Sequence, residues 1–221
     1  MSDERLTSPG DPIDHRAYWD RVARTKQFTH PLDEVLLEAH LSRKSRILDF
    51  GCGYGRTVKQ LLGSGYTDVQ GYDTSKELVA RGAREHGLSL VHIDAPSELL
   101  VPDASVDCVL LFAVLTCIPS NTEQRALLDI LRAKLKPNGL LYISDYYLQR
   151  GGPEAHRYHT LDGDPMNHGV FHLDEGVTFR HHMREWIAEL LQGLTILSER
   201  SIEVLTMNGH AAEAFQVLAR K

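Results

Sequence analysis

The sequence predicts an α/β fold built on a parallel sheet, and three observations predict it. Five short apolar segments alternate with helix-patterned stretches between residues 46 and 144. The first runs straight into a glycine-rich turn that opens a helix. The next two each close on an aspartate, Asp73 and Asp94. Strands separated by helices in this rhythm read as a parallel sheet with right-handed crossovers.

Residues 1–12 read as a disordered leader broken by Pro9, Gly10 and Pro12. Asp14 is placed to N-cap a short helix with Tyr18, Trp19 and Val22 on one face. A second helix is expected from near Pro31 to about Leu41, with Asp33 and Glu34 matching the helix dipole. Arg46–Phe50 is the first strand, followed by the glycine loop and a helix stopped at Gly63. Asp68–Tyr72 is the second strand. Thr74 with Glu77 reads as a capping box for a helix ending before Gly87. Leu88–Ile93 and Val106–Phe112 are the third and fourth strands, the latter apolar enough to be buried on both faces. Ser120 with Glu123 caps a helix over Thr122–Leu135, and residues 136–139 turn into a fifth strand, Leu140–Ser144.

Residues 146–168 break this rhythm with Gly, His, Asp and Pro, and read as a functional loop or lid. Val170–Leu173 and Val177–His181 flank Asp174-Glu175-Gly176 as a hairpin. A helix over Arg184–Leu191 and two strands, Thr195–Leu205 and Ala214–Leu218, complete the chain. The organisation expected is one domain over 13–221, with N-terminal helices (13–42) and a lid insertion (146–182).

The 221 residues are 42% hydrophobic and 24% charged, ordinary globular usage, and a chain of this size buries enough core to need no staples. The formal charge of -6 and the lack of a long basic run argue against a nucleic-acid or anionic-membrane surface. The longest apolar run, Cys108–Leu115, is far too short to span a membrane. The N-terminus has no apolar signal region, and three cysteines are an odd set for a disulfide framework. The expectation is a cytoplasmic protein, monomer or homodimer, with no nucleic-acid or membrane partner.

The most informative stretch is Ile47-Leu48-Asp49-Phe50-Gly51-Cys52-Gly53-Tyr54-Gly55-Arg56. Its glycines let the backbone approach a ligand, and the helix start favours an anionic group. A dinucleotide fingerprint would need glycine at position 56, where this chain has Arg56. Asp73 lies where an acid accepts both hydroxyls of a ribose. Asp94, beside Ala95, stands where a carboxylate accepts from the amino group of an adenine. The rival reading of either aspartate is a turn or helix cap.

Taken in order, ILDFGCGYGR, Asp73 in VQGYDTS, Asp94 in LVHIDAPSEL, SVDCVLLFAVL and LKPNGLLYISD resemble class I S-adenosylmethionine-dependent methyltransferases of the small-molecule type. The resemblance covers residues 31–221. It implies a Rossmann-like three-layer sandwich with a seven-stranded, mostly parallel sheet in the order 3-2-1-4-5-7-6, the seventh strand antiparallel. It also implies that Asp49, Gly51, Cys52, Gly53 and Gly55 surround the methionine part of S-adenosylmethionine. Asp73 with Thr74 then holds the ribose, Asp94 and Ala95 meet the adenine, and Phe112 and Ala113 border the reacting centre. The product would be S-adenosylhomocysteine.

Acceptor recognition falls to segments above the carboxyl edge of the sheet. Tyr18, Trp19, Tyr146 and Asn208 are the candidate substrate contacts, and aromatic and imidazole groups suit a small, partly apolar acceptor. The catalytic residue stays open among His30, Tyr146, His172 and His210. Six of the twelve histidines fall between 156 and 182, yet none has metal-ligand spacing, so no metal is expected. The function read here is methyl transfer to a small molecule. Its rivals are a nicotinamide oxidoreductase, a non-catalytic S-adenosylmethionine-binding module and a methyltransferase acting on a protein.

Overall fold

The computed structural model describes residues 14–151 and 156–221; the leader expected over 1–12 lies outside them. Asp14 caps α1 (His15–Val22), its side chain accepting from the Arg16 amide. The helix expected from Pro31 is only α2 (Glu34–Glu38), because Asp33 caps it by accepting from the Leu36 amide. Then follow β1 (Arg46–Phe50), α3 (Arg56–Gly63), β2 (Asp68–Asp73), α4 (Lys76–His86) and β3 (Val91–His92). After a 3₁₀ turn at Pro96–Glu98 come β4 (Val106–Phe112), α5 (Asn121–Lys134) and β5 (Leu135–Tyr146).

Seven strands form one sheet in the order β3-β2-β1-β4-β5-β10-β9, with β9 (Thr195–Leu205) and β10 (Ala211–Arg220) last in the chain. The register β1–β2, β1–β4 and β4–β5 is parallel, whereas β10 is antiparallel to both β5 and β9. Period-2 alternation sorts the strands into two packed faces. Val109, Leu111, Leu141 and Ile143 face α5 and α6 (Arg184–Leu190); Cys108, Leu110, Leu140 and Tyr142 face α2 and α3. The result is the three-layer sandwich the sequence predicts.

Four local expectations are corrected. Ser75, not Thr74, caps α4: its Oγ accepts from the Leu78 amide at 3.2 Å, which leaves Thr74 outside the helix. The third strand shrinks to two residues, because Leu88 and Leu90 turn back onto Gly55, Gly71 and Gly82 instead of pairing. β5 starts earlier than expected: Val106 pairs with Leu135 and Cys108 with Leu140, so residues 136–139 bulge out of the ladder. The stretch after β5 is more ordered than a bare loop. β6 (His159–Thr160) joins the hairpin of β7 (His168–His172) and β8 (Thr178–Arg180) as a three-stranded antiparallel sheet.

That small sheet is fastened from within. The guanidinium of Arg180, fully buried, donates to Asn121 Oδ1 (2.6 Å), Asn167 Oδ1 (2.7 Å) and the carbonyls of Pro119 and Met166. Its apolar face, Phe171, Val177 and Phe179, packs on Tyr18 of α1. Helix α1 and the small sheet thus roof the carboxyl ends of β1, β4 and β5.

Candidate active site

Beneath that roof lies a cavity of about 380 Å³. It opens at the carboxyl ends of the adjacent strands β1 and β4, where the strand order reverses direction, the place where open α/β sheets bind ligands.

On one side stands the turn between β1 and α3. Gly51 has φ +72, and a Cβ there would collide with the side chain of Val114. Gly53 has φ +57, and its Cβ would enter the ring of Phe28. Gly51 and Cys52 line the cavity; Gly53 and Gly55 do not. Gly55 packs instead against Leu88, whose Cδ1 a Cβ would approach to 2.5 Å. Its role in this structure is to let the start of α3 pack closely on the segment before β3.

Asp49 at the end of β1 lines the cavity, and its Oδ2 is buried without a hydrogen-bond partner. Burial pushes its pKa up to about 7; Arg56 opposes the rise and Asp73 adds to it. Arg56, first residue of α3, also lines the cavity and donates to the His30 carbonyl, while its Nε is buried without a partner. In the sequence Arg56 registered only as a departure from a dinucleotide fingerprint. Its place on the first helical turn, beside a buried aspartate, was the available signal.

Asp73 accepts from the Gly53 amide (2.7 Å, Oδ2) and the Ser75 amide (2.7 Å, Oδ1), and it faces the cavity. A carboxylate has about four lone-pair sites, so both oxygens keep capacity for a ligand hydroxyl. The cap reading and the ligand reading of this residue are therefore compatible. Thr74 lines the cavity beside it, as do Phe112 and Ala113. Asp94 and Ala95 do not: the Asp94 side chain is 69% exposed, and Pro96 forms the cavity wall instead.

On the other side, Trp19, Tyr146, Asn208, His30 and His210 all line the cavity. Tyr18 does not. It is fully buried between α1 and the small sheet, because its helical direction differs from that of Trp19 by one residue's rotation. His172 is also away from the cavity; on β7 alternation turns Phe171 inward and His172 outward, where its Nδ1 meets Thr178 Oγ1 at 2.8 Å. The adjacent pair at 181 and 182 divides the same way. His181 lines the cavity, and His182 is buried against Gln124 Nε2 (3.1 Å) and the Tyr146 carbonyl (3.1 Å).

His30 Nδ1 lies 2.9 Å from Ser144 Oγ, and its Nε2 is buried with no partner. Burial, reinforced by Arg56, lowers its pKa to about 3, so the ring is neutral. Burial raises the Tyr146 hydroxyl, with Asp145 adding to it, so Tyr146 stays a phenol. Both can hydrogen-bond a neutral ligand. The turn between β9 and β10, residues 206–210, sits at this same edge because β9 is parallel to the first five strands. It is tied down: Lys26 Nζ donates to Asn208 Oδ1, and Thr29 Oγ1 to the Leu205 carbonyl.

A family model described as "Methyltransferase domain" matches residues 18–205. A trans-aconitate 2-methyltransferase of Rhizobium rhizogenes is 32% identical over 117 residues, 52% of this chain and 44% of that protein. The eEF1A lysine and N-terminal methyltransferase of Mus musculus is 25% identical over 126 residues, 55% of this chain and 18% of that protein. The chain thus spans less than half the length of either relative. A solved structure of a SAM-dependent methyltransferase from Methanosarcina mazei has the same fold, with TM-score 0.74 and 24% identity over 84% of this chain and 96% of that one.

Proposed function

The chain belongs to the methyltransferase-domain family, whose cofactor is S-adenosylmethionine, and from that premise we propose that it methylates a small molecule held in the cavity. The observation that carries this reading is one continuous cavity with two unlike sides. One side holds the charged groups Asp49, Arg56 and Asp73, and the other holds rings.

The polar side fits the cofactor. The start of α3 and Arg56 suit its carboxylate, and the unpartnered Asp49 Oδ2 suits its ammonium group. Asp73, with lone pairs to spare, accepts from the ribose hydroxyls, and Thr74, Leu78 and Pro96 line the way to the adenine. When bound, the cofactor supplies an electrophilic methyl group on a sulfonium sulfur. The protein's own residues then have two tasks, aligning an acceptor atom behind that methyl and keeping water out. Phe112 and Ala113 border this point from the end of β4; the residues on the ring side orient the acceptor.

A small-molecule acceptor is supported by the trans-aconitate relative and by the roof of α1 and the small sheet over the cavity. The eEF1A relative supports a protein acceptor as the second reading. A reducing, cytoplasmic setting is supported by three free cysteines, two of them buried. Among the described residues no helix is long and apolar enough to cross a membrane.

The test is calorimetric titration with S-adenosylmethionine, followed by a screen for S-adenosylhomocysteine release against small-molecule and protein fractions. Release with the small-molecule fraction supports the proposal. Release with protein alone transfers it to the second reading, and absence of cofactor binding overturns both.

A further inference from the structure

The ring side of the cavity is a continuous belt of aromatic contacts. His30 meets Tyr146 edge-on with ring centres 4.6 Å apart, and Tyr146 stacks on His181 at 5.1 Å. His181 meets Phe171 at 4.8 Å, Phe171 meets Phe179 at 6.2 Å, and Phe179 meets Trp19 at 6.1 Å. Trp19 in turn contacts Phe28 at 5.7 Å, and Phe28 stands two residues before His30 on the same link, so the run of rings begins and ends on that link. Every one of these residues lines the cavity. They come from α1, the link before α2, β5 and the small sheet, so the belt exists only in the folded chain.

From this belt we propose that the acceptor is a planar aromatic compound carrying a ring hydroxyl, with its ring inside the belt and its hydroxyl on Nε2 of His30. The inference rests on the cofactor reading given above and adds the class of acceptor.

Three features support the choice. Neighbouring rings of the belt meet at both steep and shallow angles, 88° at His30–Tyr146, 69° at His181–Phe171 and 71° at Phe179–Trp19 against 26° at Tyr146–His181 and 33° at Phe171–Phe179. A wall of edges and faces accepts a flat ring in stacked or edge-on contact. The charges argue against a polycarboxylate. Among the described residues lining the cavity, the charged side chains are Asp49, Asp73, Arg56 and Arg157. The first three belong to the cofactor side, and the Arg157 guanidinium lies over Phe171, 3.8 Å from its ring centre. Several carboxylates would lose their water here without matching cations. A cationic acceptor gains no net attraction from this lining, where two aspartates balance two arginines. Finally, a hydroxyl matches His30 in either tautomer. With Ser144 on Nδ1, the Nε2 atom either donates or accepts, and a hydroxyl answers both.

The experiment is calorimetry on the full chain saturated with S-adenosylhomocysteine, using 2-naphthol, its fully saturated counterpart, naphthalene and trans-aconitate as probes. Quenching of Trp19 fluorescence, absent in Trp19→Leu, reports entry into the belt. The expected result is that 2-naphthol binds and quenches, with the saturated alcohol and trans-aconitate at least tenfold weaker. His30→Phe keeps a ring in the belt and removes Nε2. It is expected to weaken 2-naphthol by about tenfold, the upper range for one neutral hydrogen bond, and to leave naphthalene unchanged. Equal binding of the saturated alcohol, tighter binding of trans-aconitate, or an equal loss for naphthol and naphthalene in His30→Phe overturns the proposal. Failure of S-adenosylhomocysteine to bind, with naphthol binding intact, overturns the cofactor reading and not this one.

Discussion

The amide of Gly53 donates to Oδ2 of Asp73 at 2.7 Å, tying the turn after β1 to the end of β2. The other oxygen of Asp73 receives the Ser75 amide at 2.7 Å, so one carboxylate fixes the entry to α4 as well. Both donors are buried. A residue expected to serve the cofactor therefore also builds the wall of the cavity.

Asp73→Ala is expected to lower the unfolding free energy of the ligand-free protein by about 1–3 kcal/mol, since it strands two buried amides. Cofactor affinity is expected to fall as well, because the ribose hydroxyls lose their acceptor. Denaturant titration and calorimetry read the two effects separately. A stability loss with unchanged affinity would leave Asp73 as a structural cap alone.

Gly53→Val is expected to abolish cofactor binding while the sheet stays folded. The space beyond Gly53 holds the ring of Phe28, which also stacks on Tyr54 with ring centres 5.2 Å apart. A valine collides with that ring and is strained at φ +57. The loop and the link over residues 26–30 must both move, and the cavity wall moves with them. Circular dichroism showing a folded chain, together with normal titration of S-adenosylmethionine, would refute this account of the loop.

The sheet was legible in the sequence because its determinants are local. β1, β4 and β9 are continuous apolar or alternating runs, and their ends match expectation at Arg46–Phe50, Val106–Phe112 and Thr195–Leu205. The cavity-facing positions of Asp49, Gly51, Cys52, Asp73, Thr74, Phe112 and Ala113 follow from the same strand ends. The belt was not legible as a whole. Phe171, Phe179 and His181 read as ordinary members of a hairpin, and only the docking of the small sheet on α1 brings them beside Trp19. Tyr18 and Trp19 show the limit sharply: one residue's rotation on a short helix separates a buried packing group from a cavity wall.

Asp49 gives a pH prediction. Its pKa is raised by burial from 3.8 to about 7, so the folded state binds the proton more tightly than the unfolded one. The stability this contributes is fully present below about pH 3.8 and is lost as pH rises towards 7. Asp49→Asn removes that dependence. Measured without ligand, the variant's melting temperature should match the wild type near pH 4 and exceed it increasingly up to pH 7. Asp145 shifts the same way, and the buried His30 and His182, lowered to about 3, oppose both. These groups remain in both proteins, so the difference between the two curves isolates Asp49. A difference that is flat with pH would show that Asp49 is ionised in the folded protein.

The turn at 206–210 supplies the last prediction. Thr206 accepts the Gly209 amide at 2.8 Å through its carbonyl, so the turn is tight in its own right. It is also strapped to the link carrying Phe28 and His30, through Lys26 with Asn208 and Thr29 with the Leu205 carbonyl. Asn208→Ala cuts one strap and removes a polar group from the cavity wall; His210→Ala removes an imidazole from the same wall without touching the strap. Neither side chain lies among the groups proposed to hold the cofactor. With the acceptor found by the release assay, both variants are expected to raise its KM about two- to tenfold, the range of one lost hydrogen bond, with S-adenosylmethionine affinity unchanged. The strap adds a further distinction: Asn208→Ala should also speed amide hydrogen exchange in residues 26–30, and His210→Ala should not. Normal KM in both variants would reduce the turn to a connector between β9 and β10. Weakened cofactor binding in either would place the turn on the other side of the cavity from the one argued here.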